Sequence, residues 1–572
     1  MKIKKITKEQ VQMVLPALFA LLLIGFFVNR NIQIRGLYGD DLYLWSYYGE
    51  DNFWDFTFPA ETKGNFRPFY WAMSYLEFFI IGRHVNYYAA FNTVINILIS
   101  FVIYFFGLRL TRAEDRSGLD CAMSNIAALL AGAMYLGSHF AAYQIGQVLG
   151  LLESLALVLA ILVLWFLYEY TTHQGGLMYY GACFMYFLVI FTHERYIALF
   201  PLFYIALVIC FISKRKTHAL SRRRGARERF LLKALIPVLE LVLFFMARLR
   251  IAGQAMPAGT AGTEVTETFD LIESLGYAVM QVQYIFGVNA GEAYLNGLTW
   301  SDTPTWLHIC VYMSWLVIAL MLIIYVMYVI KQGISHVVIG QHILFLSFIA
   351  LCIGCSSITV RLEIRWIYVS YTAALLYICY MLGGLRDRRD DDINGDAEIV
   401  RATGTYVGDE IDVNPDIDEK SSRGRMGRSI SVVTRFAALF VIYCILMTPV
   451  EQLYRSNFKN MFFWFDLDRV NSLADQTIGK YKDFLGTRQT YIFYNLYEMT
   501  DFYAEYFYKP YDPLKTGQGS EVHFINDVSE LPVGADYNNS VVLLESSDRR
   551  GYIDITDQVF GKADWDAITQ TG

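Results

Sequence analysis

Charge is scarce in this chain. Soluble domains carry about 25% charged residues, whereas 18% of these 572 residues are charged and 55% are hydrophobic. A soluble globular class is excluded, because several apolar stretches approach or exceed the roughly 20 residues that span a bilayer. Cysteine is nearly confined to the apolar runs and none follows Glu451, so the C-terminal stretch holds no disulfide framework. Cys352-Ile-Gly-Cys355 has metal-type spacing, but it lies in a predicted span without a second pair and reads as small buried helix residues. A basic surplus is also missing. The formal net charge is −7, much of it from the segment between Asp387 and Glu419, and nothing supports a nucleic-acid partner. The first apolar run is long and no small-residue cleavage site follows it, so a retained span is expected rather than a cleaved signal.

What the chain has in abundance is spans, about eleven of them by length and hydropathy. They fall near residues 13–28, 87–108, 123–136, 143–167, 177–191, 197–212, 231–247, 306–330, 338–353, 367–382 and 436–450. Lys2, Lys4, Lys5 and Lys8 place the N-terminus in the cytoplasm, and Arg109, Arg112, Arg116 and the basic loop from Lys214 to Arg229 fall on that side. The odd count puts residues 451–572 outside, where runs at 490–494 and 540–544 read as strands and 471–484 as a helix. The aromatic-rich stretch 31–85 and the stretch 269–286 are expected to hold amphipathic helices at the membrane surface. The predicted fold class is an all-α polytopic membrane protein with a small C-terminal extracytoplasmic α/β domain. Its parts are residues 1–384 (membrane module), 385–430 (linker), 431–450 (last span) and 451–572 (outer domain). The linker is Asp-rich with almost no aromatics, a composition expected to stay disordered. Asp390, Asp392, Asn394 and Asp396 have calcium-loop spacing, but Arg401 stands where a bidentate Glu belongs, so a solvated run is the reading.

The candidate chemistry lies in the outer connections. Tyr38-Gly39-Asp40-Asp41-Leu42 sets two adjacent carboxylates just past the first span, where packing gives them no purpose. Arg67, the run His193-Glu194-Arg195, and Arg361, Glu363 and Arg365 fall on the same side. Acids and arginines beside a bilayer suit a substrate with an anionic head and a lipid tail. Sugar transfer from a lipid phosphate needs a base for the acceptor's proton, cations for the departing phosphate and an apolar groove. A phosphate leaves as a stable anion, so no general acid is required. Plainer roles compete: a solvated turn or cap for Asp40 and Asp41, a snorkelling anchor for Arg67, a structural bridge from Glu194 to Arg195 or Arg67, and an interfacial topology residue for Arg365. His139 reads as a turn cap.

The order of these motifs carries a resemblance. Gly39-Asp40-Asp41, Phe66-Arg67-Pro68-Phe69, Thr192-His193-Glu194-Arg195 with Pro201 following, and Arg365-Trp366-Ile367-Tyr368 occur in sequence across residues 13–382. The layout resembles the GT-C superfamily of glycosyltransferases, and within it the protein O-mannosyltransferases and the transmembrane O-mannosyltransferases with TPR repeats. The resemblance implies an inverting transfer from a polyprenyl-phosphate sugar to a glycan, lipid or protein acceptor outside the cytoplasm, with no cofactor. Asp40 would be the base with Asp41 supporting it. Arg365 would face the lipid phosphate, Arg67 and Glu194 would order the site, and His193 and Tyr368 would bind substrate. One alternative is an oligosaccharide transferase or ligase with a larger lipid-linked donor, in which Asp40 and Asp41 would hold a divalent metal. Another is a transporter or flippase for a polar lipid. Such proteins place charges at the membrane midplane, whereas here the charges gather at helix ends.

Overall fold

The computed structural model describes residues 8–34, 52–58, 66–82, 84, 86–116, 118–216, 224–253, 270–289, 298–359, 362–385, 431–457, 472, 476, 490–494, 521–548 and 551–561. Asp40, Asp41 and Arg361, the calcium-like run from Asp390 and nearly all of the predicted helix at 471–484 lie outside the described residues.

Among the described residues up to 457, the elements are helices. The helices are α1 (Lys8–Asn29), α2 (Phe53–Thr57), α3 (Pro68–Ile81), α4 (Asn86–Thr111), α5 (Gly118–Gly137), α6 (His139–Ile145), α7 (Gly150–His173) and α8 (Gly176–Ile190). They continue with α9 (Pro201–Lys216), α10 (Arg224–Ala252), α11 (Leu271–Ile285), α12 (Thr305–Gln332), α13 (His336–Ser357), α14 (Tyr368–Gly384) and α15 (Val432–Ser456). Among the described residues, nine stretches are long and apolar enough to cross a membrane, and α8 and α14 are shorter apolar helices. The protein is an integral membrane protein by this architecture. Its outward apolar side chains include Leu15 and Phe19 on α1 and Ile309, Leu316 and Ile323 on α12, which only a lipid environment accommodates at this density.

Polar contacts stitch each end of the bundle. At one end Arg455 of α15 donates to Asn29 Oδ1 at the close of α1 (3.0 Å). The His139 amide donates to Glu451 (3.0 Å), and Tyr454 donates to Gly287 O (2.8 Å). At the other end Arg116 donates to Leu385 O (2.8 Å), and Ser431, which caps α15, donates to Asp120. The spans therefore reverse in turn, and the starts of α7, α9 and α14 share an end with the closes of α8, α10 and α13. Helix α7 is the central post, with 72% of its apolar window buried against 11% for α10 at the periphery.

One predicted span divides. Residues near 143–167 were expected as a single helix, but residues 139–145 form the separate short helix α6, and α7 begins only at Gly150. Ser138 Oγ caps α6 by accepting from the Ala141 amide (3.2 Å), so the cap is Ser138 and not His139. The corner needs glycine at residue 150, where an added Cβ would lie 1.8 Å from Gln144 O. This break sets Glu153 near the end of the bundle. The stretch expected at 269–286 forms α11, capped by Asp270, with Leu271, Ile272, Leu275 and Val279 exposed on one face.

Among the described residues, the C-terminal unit shows four strands, β1 (Thr490–Tyr494), β2 (Glu521–Ile525), β3 (Ser540–Glu545) and β4 (Tyr552–Asp554), in the order β2-β1-β3-β4, with a short helix α16 (Thr556–Phe560). Strand β1 runs parallel to both β2 and β3, with Ile492 opposite His523 and Val542, and β4 is antiparallel to β3. The continuous apolar runs of β1 and β3 suit central strands covered on both faces, and Ile492, Val542 and Leu544 pack with Ile555 and Val559. Both strands predicted from sequence are therefore present.

Gly150→Ala is expected to lower the thermal unfolding midpoint of the purified protein, by the equivalent of about 1–3 kcal/mol for an overpacked site. Gly137→Ala, where nothing lies within 4 Å of an added Cβ, should leave the midpoint in place.

Candidate active site

The centre of the site is the corner after α8. His193 opens a 3-10 turn, Glu194–Leu199, and its Nδ1 accepts the Arg195 amide at 3.4 Å. Three residues per turn point adjacent side chains about 120° apart. Glu194 and Arg195 therefore diverge, and Glu194 does not bridge to its neighbour.

Glu194 turns toward the start of α3 and the close of α10. Its Oε1 accepts the Phe66 amide at 2.7 Å and Arg248 Nη1 at 2.6 Å, while Oε2 lies 3.5 Å from Arg67 Nε. Arg248 is fully buried and Glu194 nearly so. A buried guanidinium needs a paired carboxylate, and this one holds three elements together. Arg67 precedes Pro68 at the first position of α3, so the turn that starts the helix also carries the cation.

Arg195 turns the other way, toward α7. Its Nη2 donates to Glu153 Oε2 at 2.5 Å and lies 3.4 Å from Arg365 O. Its guanidinium sits against the rings of Tyr196 and Trp366. The single hydroxyl proton of Tyr368 faces both Glu153 Oε2 (2.5 Å) and the Glu153 carbonyl (2.7 Å). Arg365, on the short turn Ile364–Trp366 that leads into α14, pairs with Glu363. Burial pushes the Tyr143 phenol up to about 12, while the Arg365 guanidinium beside it pulls the other way; the hydroxyl stays protonated.

The structure thus places Arg67, His193, Glu194, Arg365 and Tyr368 in one region. Four guanidinium groups (Arg67, Arg195, Arg248 and Arg365) face three carboxylates (Glu153, Glu194 and Glu363). One positive charge is in excess among the described residues. His193 adds none: burial first, and then the charges of Arg195, Arg67 and Arg365, hold its imidazole well below the usual histidine range. A neutral ring among cations can donate from one nitrogen and accept at the other.

Sequence reasoning missed two members, Glu153 and Arg248. An acid within an apolar helix is a signal in itself, but Glu153 was hidden by the assumption that one helix ran through residues 143–167. Arg248 directly follows the predicted span at 231–247, where a basic residue is ordinary. Another buried pair lies at the same end of the bundle. His139 Nδ1 is 2.5 Å from Glu451 Oε2, and Arg455 clasps the end of α1 through Val28 O and Asn29, the root of the connection that carries Asp40 and Asp41.

No family model and no curated protein matches the chain. Among solved structures it is similar to the crystal structure of ArnT from Cupriavidus metallidurans in the apo state. The TM-score is 0.49 and the identity 11%, over 95% of this chain and 94% of that one. At that identity no residue role is transferred.

Glu194→Gln should destabilise the protein by about 3–5 kcal/mol, the cost of leaving a buried charge without its partner. Adding Arg248→Met should recover part of that loss in a double-mutant cycle read by thermal unfolding. The His193 ring gives a pH dependence. Its folded pKa lies below the ordinary 6.5, so the unfolded state binds the proton more readily and stability falls as pH drops below 6.5 toward the depressed value. The unfolding midpoint measured from pH 7.5 to 5 should fall at the acid end in the native protein, and less steeply in His193→Asn.

Proposed function

We propose that the protein is a membrane glycosyltransferase of the GT-C type. It moves a sugar from a polyprenyl-phosphate donor to an acceptor on the extracytoplasmic side, with inversion at the sugar carbon. The observation that carries this reading is the gathering of Arg67, Arg195, Arg248 and Arg365 at one end of an apolar bundle, with one guanidinium in excess over the carboxylates that face them among the described residues. A lipid-linked phosphate matches both halves of that arrangement. Its chain is at home along the apolar helices, and its charge meets preorganised cations where water is scarce. The motif order of the chain supports the same reading.

In this reading residues 1–384 carry the transfer, and residues 451–572 stand on the same side as the site, at the close of α15. Residues 385–430 link α14 and α15 on the opposite, cytoplasmic side. Asp40 takes the acceptor's proton, with Asp41 beside it, on the connection rooted at Asn29. Arg365 neutralises the phosphate as the sugar leaves, and a phosphate departs without protonation. Arg67 and Glu194 hold the start of α3 against the corner after α8, and His193 and Tyr368 contact substrate. The acceptor is a glycan, a lipid or a protein.

Asp40→Asn should lower the transfer of radiolabelled sugar from synthetic polyprenyl-phosphate hexoses by about 10²–10⁴-fold, the usual contribution of a general base. Membrane insertion and the thermal midpoint should stay as in the native protein. Full turnover in that variant would move the base elsewhere.

A further inference from the structure

Two buried polar atoms beside the cations have no partner, and a third polar atom stands close by on a partly open ring. Glu153 Oε1 and Arg195 Nη1 have no hydrogen-bond partner among the described residues. Their side chains are only 6% and 10% exposed. His193 Nε2 stands 4.0 Å from Glu153 Oε1, too far for a hydrogen bond and a suitable gap for one intervening oxygen atom.

The proton on the ring can be placed. His193 Nδ1 accepts the Arg195 amide, so in the neutral ring the hydrogen sits on Nε2. The neutral form is favoured because burial and three guanidinium groups oppose a further charge. Nε2–H and Arg195 Nη1–H are donors in search of an acceptor, and Glu153 Oε1 is an acceptor in search of a donor. A hydroxyl has two lone pairs and one proton. It accepts twice and donates once, which satisfies all three. A phosphate or carboxylate would bring a second negative charge against Glu153, and an ammonium would have nothing to accept from the two donors.

We infer that His193, Glu153 and Arg195 form a subsite for one hydroxyl of the donor's sugar. This rests on the reading of the protein as a polyprenyl-phosphate sugar transferase. The hydroxyl is assigned to the donor rather than the acceptor because the same Arg195 group that pairs with Glu153 lies 3.4 Å from Arg365 O, so the slot adjoins the cation held to face the phosphate. The side chain of His193 is 12% exposed, which gives the slot an open side. The other atoms of Glu153 are already engaged: Oε2 binds Arg195 and Tyr368, and the backbone carbonyl binds Tyr368. Tyr368 and the second nitrogen of Arg195 therefore act as positioning groups that aim Oε1 at the slot. Selection among sugars follows, because a sugar without a hydroxyl at that place leaves Glu153 Oε1 and Arg195 Nη1 buried and unsatisfied.

The test uses purified full-length protein in lipid nanodiscs. It is titrated with short-chain polyprenyl phosphate and with the polyprenyl-phosphate esters of mannose, glucose, galactose, N-acetylglucosamine and arabinose. The native protein should bind at least one ester about 10-fold more tightly than the bare lipid phosphate, the worth of hydrogen bonds to charged partners. His193→Asn can still cap the Arg195 amide through Oδ1 but withdraws the Nε2 donor, and should bring that ester within about 2-fold of bare phosphate. Glu153→Gln should do the same, and if it does not fold His193→Asn decides alone. An undiminished preference in His193→Asn, or equal binding of bare phosphate and every ester by the native protein, overturns the subsite and leaves the transferase reading standing. A native protein that binds neither the bare phosphate nor any ester overturns both.

Discussion

The site depends on the carboxylate of Glu194. It is buried, and it accepts the Phe66 amide and Arg248 while facing Arg67. A guanidinium with no exposed surface is tolerable in an apolar bundle only when a carboxylate compensates it. That requirement joins the corner after α8 to the start of α3 and the close of α10, where the rings of Phe66, Phe191 and Phe244 also pack together. Only 11% of the apolar window of α10 is buried, so its hold on the bundle at this end rests on the Arg248–Glu194 pair and on Phe244.

The second carboxylate, Glu153, does for the inner wall what Glu194 does for the outer one. It joins α7 to the corner through Arg195 and to α14 through Tyr368. The adjacent residues Glu194 and Arg195 thus belong to two different ionic networks, and the 3-10 turn between them keeps the networks apart. Each acid holds a cation in place, so the cations are ordered before any substrate arrives. Such preorganisation is what gives electrostatic stabilisation its strength in a water-poor site. Each carboxylate is tied to a buried guanidinium.

Much of this was legible in the chain. The scarcity of charge and the length of the apolar runs defined the membrane class, because a bilayer demands long stretches of one kind of side chain. Parity of the spans put Arg67, His193, Glu194 and Arg365 at the same end. The strands at 490–494 and 540–544 were readable from runs of β-branched and aromatic residues. Hydropathy failed at residues 139–150, where the average stays apolar through a corner made by Ser138, Gly146 and Gly150. It failed because an average over side chains carries no backbone geometry.

Pairing was a matter for tertiary structure alone. Sequence proximity suggested that Glu194 might meet Arg195, yet each finds its partner far along the chain, Arg248 for one and Glu153 for the other. Hydropathy reports the cost of removing a side chain from water, which is a property of the residue itself. The partner that offsets that cost is set by which helix ends pack together, and that is a property of the whole bundle.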